Sequence, residues 1–221
     1  MIADGRVEVD GKIVVEPGIK VTPDQEVRVD GGIITVSRHY TVILNKPLGV
    51  VTTLRDPHNR PTVMAHLPDY GVVLKPVGRL DMDTEGLILC TNDGELAHRL
   101  SHPRYGVEKE YEAIVTGIVE ERALTLLRKG VYIEGGRTGP AKVEIIHAEP
   151  RTNTTGLRIT IHEGRNRQVR LMCEAVGHTV QKLRRTRYAF LRVKGMRTGE
   201  ARLLGKQELD KLREMVGMPK D

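Results

Sequence analysis

Three acidic side chains stand at alternate positions in the stretch GRLDMDTEG, residues 78–86. On a regular strand, Asp81, Asp83 and Glu85 would project to one face, where three carboxylates repel each other unless a cation lies among them. A bound metal is one such cation. A nearby arginine is another, and it would hold one carboxylate ionised and fixed for a covalent role. A third reading is structural, with the acids shaping a turn and offsetting neighbouring arginines.

The rest of the sequence gives the metal hypothesis little support. Asp81 and Asp83 imitate the start of a calcium loop, but the third ligand and the loop glycine of that spacing are missing. His98 and His102 are four residues apart, yet no second ligand set accompanies them. Residues 83–86 read DTEG, not the DTG of an aspartic protease. We therefore predict no metal site, and the residues alone do not show which acid reacts.

The clearest helix signal lies in EGRNRQVRLMCEAVGH, residues 163–178, where Asn166 is the predicted N-cap and Gly177 the stop. Apolar residues at helical spacing form a predicted buried stripe: Val169, Met172, Cys173 and Val176. Cys173 therefore belongs to the core and is not a nucleophile. Arginines near the start of this helix predict a site for a phosphate or a carboxylate, with an exposed arginine face as the alternative. These are Arg165, Arg167 and Arg170.

Basic residues are concentrated in one part of the chain. The 221 residues contain 35 Lys+Arg and 29 Asp+Glu, for a net charge of +6. From Arg165 to Arg197 there are ten basic residues and one acid, Glu174. Such a block predicts a phosphate-binding surface and a nucleic-acid partner. Aromatic residues make up only 3% of the chain, which argues against binding that stacks a long run of bases.

The two cysteines, Cys90 and Cys173, have no paired spacing, so the sequence indicates neither a disulfide framework nor a thiolate metal site. The amino terminus has no apolar run of signal-peptide length, and no later stretch has the length and apolarity of a membrane span. We expect a cytoplasmic protein that does not associate with membranes.

Short strand signals and turns fill residues 1–36, with hairpin turns predicted at Asp10-Gly11 and Asp30-Gly31. This pattern predicts a small β appendage. The longer strands that follow alternate with a few helices, one capped by Asp93 and one ended by Gly130. No regular βαβ repeat is present. The pattern favours an α+β fold built on a largely antiparallel mixed sheet with flanking helices.

Four stretches run through most of residues 42–190: LNKPLGVVTT, DPHNRPTV, PVGRLDMDTEGLILCTNDGELAHRLSHPRYGVEKEY and EGRNRQVRLMCEAVGH. In sequence, order and spacing they resemble the bacterial ribosomal-RNA pseudouridine synthases of the RsuA/RluB family. The resemblance implies a pseudouridine synthase fold with a central RNA-binding cleft in residues 37–221. It also implies an isomerase without a cofactor, which breaks the uridine N-glycosidic bond, rotates the uracil and rejoins it through carbon 5.

The GRLDMDTEG turn is closer to the large-subunit, 23S branch of the family. A 16S enzyme, a catalytically inactive rRNA-binding assembly protein and a metal-dependent nuclease are the alternatives. Residues 1–36 resemble only the later strands of an alpha-L RNA-binding domain, without its helical first half, so we expect them to bind RNA poorly. We also expect a monomer whose partner is ribosomal RNA.

The resemblance assigns a role to three residues. Asp81 is the expected nucleophile, Tyr111 packs on the uracil and acts as a base, and Arg170 pairs with Asp81. Arg79 is expected to hold the RNA from which the base has left. The other predicted RNA contacts are Arg165, Asn166, Arg167, Gln168, Lys182, Arg184, Arg185 and Arg187.

Overall fold

The computed structural model describes residues 1–22, 25–34 and 38–220. Backbone contacts divide the chain into two units, Met1–Arg38 and His39–Asp221. In the first unit, four strands form an antiparallel sheet in the order β2-β1-β3-β4. These strands are β1 (Val7–Val9), β2 (Lys12–Val14), β3 (Val27–Val29) and β4 (Gly32–Ile34).

Both predicted hairpins of the first unit are confirmed. Asp10 and Gly11 have φ values of 49° and 74° between β1 and β2, and Asp30 and Gly31 have 51° and 77° between β3 and β4. Two consecutive residues at positive φ match the twist of paired strands, and aspartate and glycine reach that region at low cost. The assignment of this unit to the alpha-L type stays a prediction.

The second unit contains a large mixed sheet. Its strands and those of a separate two-stranded ribbon are β5 (Thr41–Lys46), β6 (Lys75–Pro76), β7 (Glu85–Thr91), β8 (Lys109–Thr116), β9 (Tyr132–Ile133), β10 (Gly136–Arg137), β11 (Lys142–Glu149), β12 (Thr154–Ile161), β13 (Val180–Tyr188), β14 (Leu191–Arg192) and β15 (Ala201–Leu203). The main sheet runs β11-β12-β8-β13-β7-β5-β15, with β14 beside β13 and β6 beside β7, while β9 pairs with β10.

One parallel contact joins the two halves of this sheet. Among the strand pairs in the described residues, only β7 and β13 run parallel, and they meet through Arg184 opposite Glu85 and Arg185 opposite Gly86. We call these two residue pairs the seam. Gly86 has a φ of 108°, and a Cβ there would overlap the backbone of Arg185. Glycine is therefore needed where the half containing β8 and β13 meets the half containing β5 and β7.

Four α-helices cover the sheet in the described residues: α1 (Gly94–Ser101), α2 (Glu121–Lys129), α3 (Gln168–Glu174) and α4 (Lys206–Met215). Short 3₁₀ turns lie at Val63–His66 and Pro103–Tyr105. Asp93 caps α1 by accepting a 2.9 Å hydrogen bond from the Leu96 N–H, and Gly130 ends α2, as predicted. The prediction for α3 is wrong in one respect. Its N-cap is Arg167 at a φ of 50°, and not Asn166.

The core lies on both faces of the sheet. Ile88 packs with the apolar side chains of α2 and α3 on one face, while Leu87 and Leu89 pack with those of α1 and α4 on the other. Burial on both faces explains the continuous apolar sequence of β7. Cys173 is fully buried in the α3 stripe, and burial raises its pKa to about 12, which confirms its core role. None of the helices within the described residues is long and apolar enough to cross a membrane.

Candidate active site

A cleft of about 560 Å³ lies where the two halves of the sheet meet. Asp81, which precedes β7, lines it together with Tyr111 of β8 and Leu183 of β13. Arg79, Asn166 and Arg167 also line it. The structure therefore brings the predicted nucleophile and the predicted uracil-stacking tyrosine into one cavity, although β7 and α1 lie between them in sequence.

Backbone hydrogen bonds fix the position of Asp81. The residue before it, Leu80, is buried, and its backbone exchanges two hydrogen bonds with the Thr52 hydroxyl, which donates to the carbonyl at 2.7 Å and accepts from the N–H at 3.2 Å. The Thr84 N–H donates to the Asp81 carbonyl at 3.0 Å and closes a turn directly before β7. The Asp81 side chain remains 31% exposed. The geometry thus presents one carboxylate at the end of a rigid turn.

The arginines around this turn are arranged differently from the prediction. Arg170 donates to the Asp83 carbonyl oxygen at 2.8 Å and forms a 3.2 Å ion pair with the Asp83 carboxylate. Arg167 is the residue within ion-pair distance of Asp81, with Nη1 3.7 Å from Oδ2. The predicted pairing of Arg170 with Asp81 is therefore wrong. Another donor group of Arg170 is bound to the Val180 carbonyl at 3.0 Å, which ties the guanidinium between β13 and the turn.

A buried lysine lies beneath the acidic turn, and sequence reasoning missed it. Lys46 at the end of β5 is fully buried, and its Nζ donates to the carbonyls of Pro47 and Val50 at 2.9 and 2.8 Å. Burial lowers the pKa of Lys46 to about 8, against the opposing influence of the nearby acids Asp81, Asp83 and Glu85. A lysine at the end of the strand TVILNK, which begins with a largely apolar stretch, was the available signal, because charged residues are rarely buried without a specific partner.

The Tyr111 hydroxyl contacts a second buried cation, Arg185. Arg185 stands opposite it in the pairing of β8 and β13, and its Nη1 lies 3.3 Å from the Tyr111 hydroxyl. The Nε of Arg185 donates to the Leu87 carbonyl at 2.6 Å. Only 3% of Arg185 is exposed. The prediction that Arg185 contacts RNA phosphates at the surface is therefore wrong, because its guanidinium is enclosed between strands.

Two predicted RNA contacts near α3 are occupied by internal partners. Gln168 is buried, its side chain donating to Glu163 at 2.6 Å and accepting from the Arg165 N–H at 3.0 Å. The Arg165 guanidinium donates to backbone carbonyls of residues 135–137 and pairs with Glu163 at 3.3 Å. The three arginines predicted to form an anion site therefore point to protein partners, and α3 itself has only seven residues.

Arg187 is also engaged by acids. It pairs with Glu108 at 3.1 Å and with Glu110 at 3.3 Å, and Arg192 pairs with Glu110 at 2.9 Å. Cross-strand carboxylates of β8 and the segment before it thus neutralise part of the basic block. Lys182 and Arg184 have no ion pair among the described residues, but they line hollows other than the cleft.

Metal-binding geometry is not found in the described part of the chain, where no group of three or more His, Cys, Asp or Glu side chains converges. Asp83 turns toward Arg167 and Arg170. The His98 and His102 rings lie 5.4 Å apart between centroids, and His102 Nδ1 accepts a hydrogen bond from the Arg104 N–H. The histidine pair therefore shapes the short turn after α1.

Comparison with protein families gives one match that spans the cleft. The sequence model described as RNA pseudouridylate synthase matches residues 39–175, a range that contains Asp81, Tyr111 and Arg170. Arg185 lies beyond it.

Curated relatives extend the similarity over nearly the whole chain. The ribosomal large subunit pseudouridine synthase B of Bacillus subtilis is 43% identical over 218 residues, covering 98% of this chain and 88% of that protein. The protein of the same name from Shigella flexneri is 40% identical over 227 residues, covering 99% and 78%. A crystal structure of a pseudouridylate synthase matches with a TM-score of 0.72 at 31% identity, covering 96% of this chain and 90% of that one. The resemblance and the fold expected from the four sequence stretches are confirmed.

Proposed function

The chain belongs to the RNA pseudouridylate synthase family, and on that premise we propose that it isomerises a uridine of ribosomal RNA, with Asp81 as the nucleophile. The observation that carries the assignment of residues is the cleft at the seam, which Asp81 and Tyr111 line together. The names of the Bacillus and Shigella relatives support large-subunit, 23S rRNA as the substrate.

The reaction needs no second substrate. In pseudouridine the ribose C1′ is bonded to uracil C5 in place of N1, so one C–N bond breaks and one C–C bond forms. The proton on C5 leaves and N1 gains one, which balances atoms and charge. A carboxylate that forms a transient bond with the nucleotide divides this exchange into two easier steps. Asp81 suits that role because it is fixed by its backbone, open to the cleft and provided with a counter-charge by Arg167.

Tyr111 and Arg170 support the reaction in different ways. A uridine inside folded RNA must leave its stack to reach the cleft, and an aromatic ring gives the extruded base a surface to stack on. Tyr111 can accept the C5 proton in a later step as the phenolate, after its own hydroxyl proton has passed to solvent, and the Arg185 guanidinium lies beside the oxygen to stabilise that negative charge. Arg170 is a positioning residue, because it fixes Asp83 and with it the turn that carries Asp81.

The remaining assignments concern the compartment, the partner and the oligomeric state. We place the protein in the cytoplasm with rRNA as its partner and a monomer as the working state. The net charge of +6 suits a polyanionic partner, and the two free, buried cysteines suit a reducing compartment.

The test is tritium release from deproteinised rRNA labelled at uracil carbon 5. We expect release by the natural protein and none by Asp81→Asn, with RNA affinity retained. Asp83→Asn is the matched change two residues along the turn, and it should lower the rate without abolishing it. Equal release by the natural protein and Asp81→Asn would contradict the nucleophile assignment, whereas no release by either would contradict the proposed reaction.

A further inference from the structure

We infer that Arg55, Arg60 and Arg79 form a binding site for an RNA phosphodiester beside the catalytic cleft. The identity of the ligand rests on the proposed function, since the RNA strand that delivers the uridine must pass the cleft mouth. Arg55 and Arg60 lie in the loop after β5, Arg79 lies between β6 and β7, and all three are outside the basic block of residues 165–197.

A separate polar hollow of about 320 Å³ is lined by all three arginines, together with Asp56 and Asp81. It shares Arg79, Leu80 and Asp81 with the cleft, so the two cavities are neighbours on either side of these residues. When a nucleotide turns its base into the cleft, its sugar and phosphates stay outside. The adjoining hollow is therefore placed to receive a backbone phosphate of that nucleotide or of its neighbour.

Two of these arginines have unoccupied guanidinium groups. Arg55 and Arg79 are exposed, and neither forms an ion pair or a side-chain hydrogen bond with another residue that the structure describes. In contrast, Arg165 and Arg187 of the basic block are bound to carbonyls and carboxylates. Arg55 and Arg79 thus place cations beside Asp81 that no described carboxylate neutralises, and guanidinium groups match phosphate oxygens in geometry and charge.

The loop is fixed before any RNA arrives. The Asp56 carboxylate accepts hydrogen bonds from the Arg60 side chain at 2.7 Å and from the N–H groups of Arg60 and His58 at 2.9 and 3.0 Å. These contacts, the Arg60 side chain above all, hold the pKa of Asp56 well below its usual range. The Thr53 hydroxyl also donates to the Arg55 carbonyl at 2.9 Å. A loop already ordered loses less entropy when it binds a phosphate.

A third hollow, on the other side of the Asp81 turn, is more apolar than the one lined by the arginines. It is lined by the exposed Leu48, by Met82, which the arginine hollow shares, and by Lys182 with the two carboxylates Asp83 and Glu85. A phosphate is less well accommodated among apolar side chains than among arginines. The charge distribution therefore favours passage of the backbone on the Arg55 side.

The experiment compares Arg55→Ala with Arg122→Ala, which removes an exposed arginine of α2 that lines neither hollow. Affinity for deproteinised rRNA is measured by filter binding over a range of salt concentrations, in the Asp81→Asn background so that no turnover occurs. We expect Arg55→Ala to weaken binding about fivefold and to reduce the slope of log K against log salt by about 0.7 to 0.9, the value for one phosphate contact. The double variant Arg55→Ala with Arg79→Ala should reduce the slope of log K against log salt by about twice as much.

The control Arg122→Ala should leave the salt slope unchanged. Equal affinities and slopes for Arg55→Ala and Arg122→Ala would overturn the site. In the active protein, which keeps Asp81, a lower rate of tritium release by Arg55→Ala at saturating RNA with unchanged RNA affinity would also overturn the site. Failure of the natural protein to release tritium would refute the proposed reaction, and the binding measurement would still decide whether these arginines hold RNA.

Discussion

The buried guanidinium of Arg185 reaches the hydroxyl of Tyr111 at 3.3 Å from the strand that forms the seam. The same side chain holds the Leu87 carbonyl of β7 at 2.6 Å. One residue thus connects the strand that follows Asp81 with the strand that carries Tyr111. Its remaining Nη2 is buried and has no hydrogen-bond partner among the described residues. Arg185 therefore links the two sides of the cleft directly.

Replacing Arg185 should affect both rate and stability. We expect Arg185→Met to lower kcat by on the order of a hundredfold with a smaller change in KM, because the Tyr111 hydroxyl loses the adjacent charge. Unfolding free energy should fall by about 3 kcal/mol, since a buried carbonyl and hydroxyl lose their donor. Arg184→Met, one residue earlier and without an ion pair in the described chain, is the control. Tritium release and urea unfolding measure the two effects. A natural kcat in Arg185→Met would refute the link to Tyr111.

The contact between Arg170 and Asp83 predicts energetic coupling. In a double-mutant cycle of Arg170→Met and Asp83→Asn, followed by urea unfolding, we expect a coupling free energy of about 1 kcal/mol, because Arg170 is largely buried and Asp83 is half exposed. The cycle of Arg170→Met with Asp81→Asn serves as the comparison, and its coupling should be smaller. A larger coupling with Asp81 would restore the pairing that the sequence suggested.

Gly86 should tolerate no side chain. Gly86→Ala forces a Cβ into the backbone of Arg185 at a φ of 108°, so we expect a loss of about 3 kcal/mol or more in unfolding free energy, together with a loss of activity. Gly94→Ala is the matched control, because Gly94 begins α1 with open space around it. That change should stabilise the helix by up to about 1 kcal/mol. Similar unfolding midpoints for both variants would contradict the steric account of the seam.

Lys46 should make stability depend on pH. Burial lowers its folded-state pKa to about 8, below the usual 10.5, so the unfolded chain binds more protons between these values and stability rises with pH there. We expect the unfolding free energy of the natural protein, relative to Lys46→Met, to increase by about 2 to 3 kcal/mol from pH 7.5 to pH 10.

Comparison with Lys46→Met removes the contributions of other groups that titrate in this range. These include Lys109, whose pKa burial also lowers to about 8, and the two buried cysteines, whose raised pKa values act in the opposite direction. Lys75→Met, at an exposed lysine, is the control for loss of a surface charge. If the unfolding free energies of the natural protein and Lys46→Met differ by the same amount at every pH in this range, Lys46 does not titrate there.

Local signals predicted the parts of the fold that depend on neighbours in sequence. The Asp93 cap, the Gly130 stop and the two Asp-Gly hairpins each follow from one or two residues and their backbone preferences. The stripe containing Cys173 follows from helical periodicity. Asp81 was chosen as the expected nucleophile from the family resemblance. Charge repulsion among the three carboxylates does not distinguish one of them from the others.

Contacts made across strands were beyond prediction from one sequence. Arg185 and Arg187 are two positions apart and would share a face on a regular strand, but the pairing of β13 with β8 shifts between them. One therefore supports Tyr111 while the other meets Glu108 and Glu110. Charge counting along residues 165–197 also overlooked these glutamates, which come from a distant stretch. Arg55, which lies outside that block, has no comparable block of basic residues around it in the sequence.

The seam allows only one register between β7 and β13. Displacing β13 by one residue along β7 would place a larger residue where only Gly86 fits, and would turn the Arg185 side chain to the opposite face of the sheet. A misaligned chain would then be obstructed and would also lack the group behind Tyr111. The position of Arg185 behind Tyr111 and the correct pairing of β7 with β13 therefore depend on the same strand register.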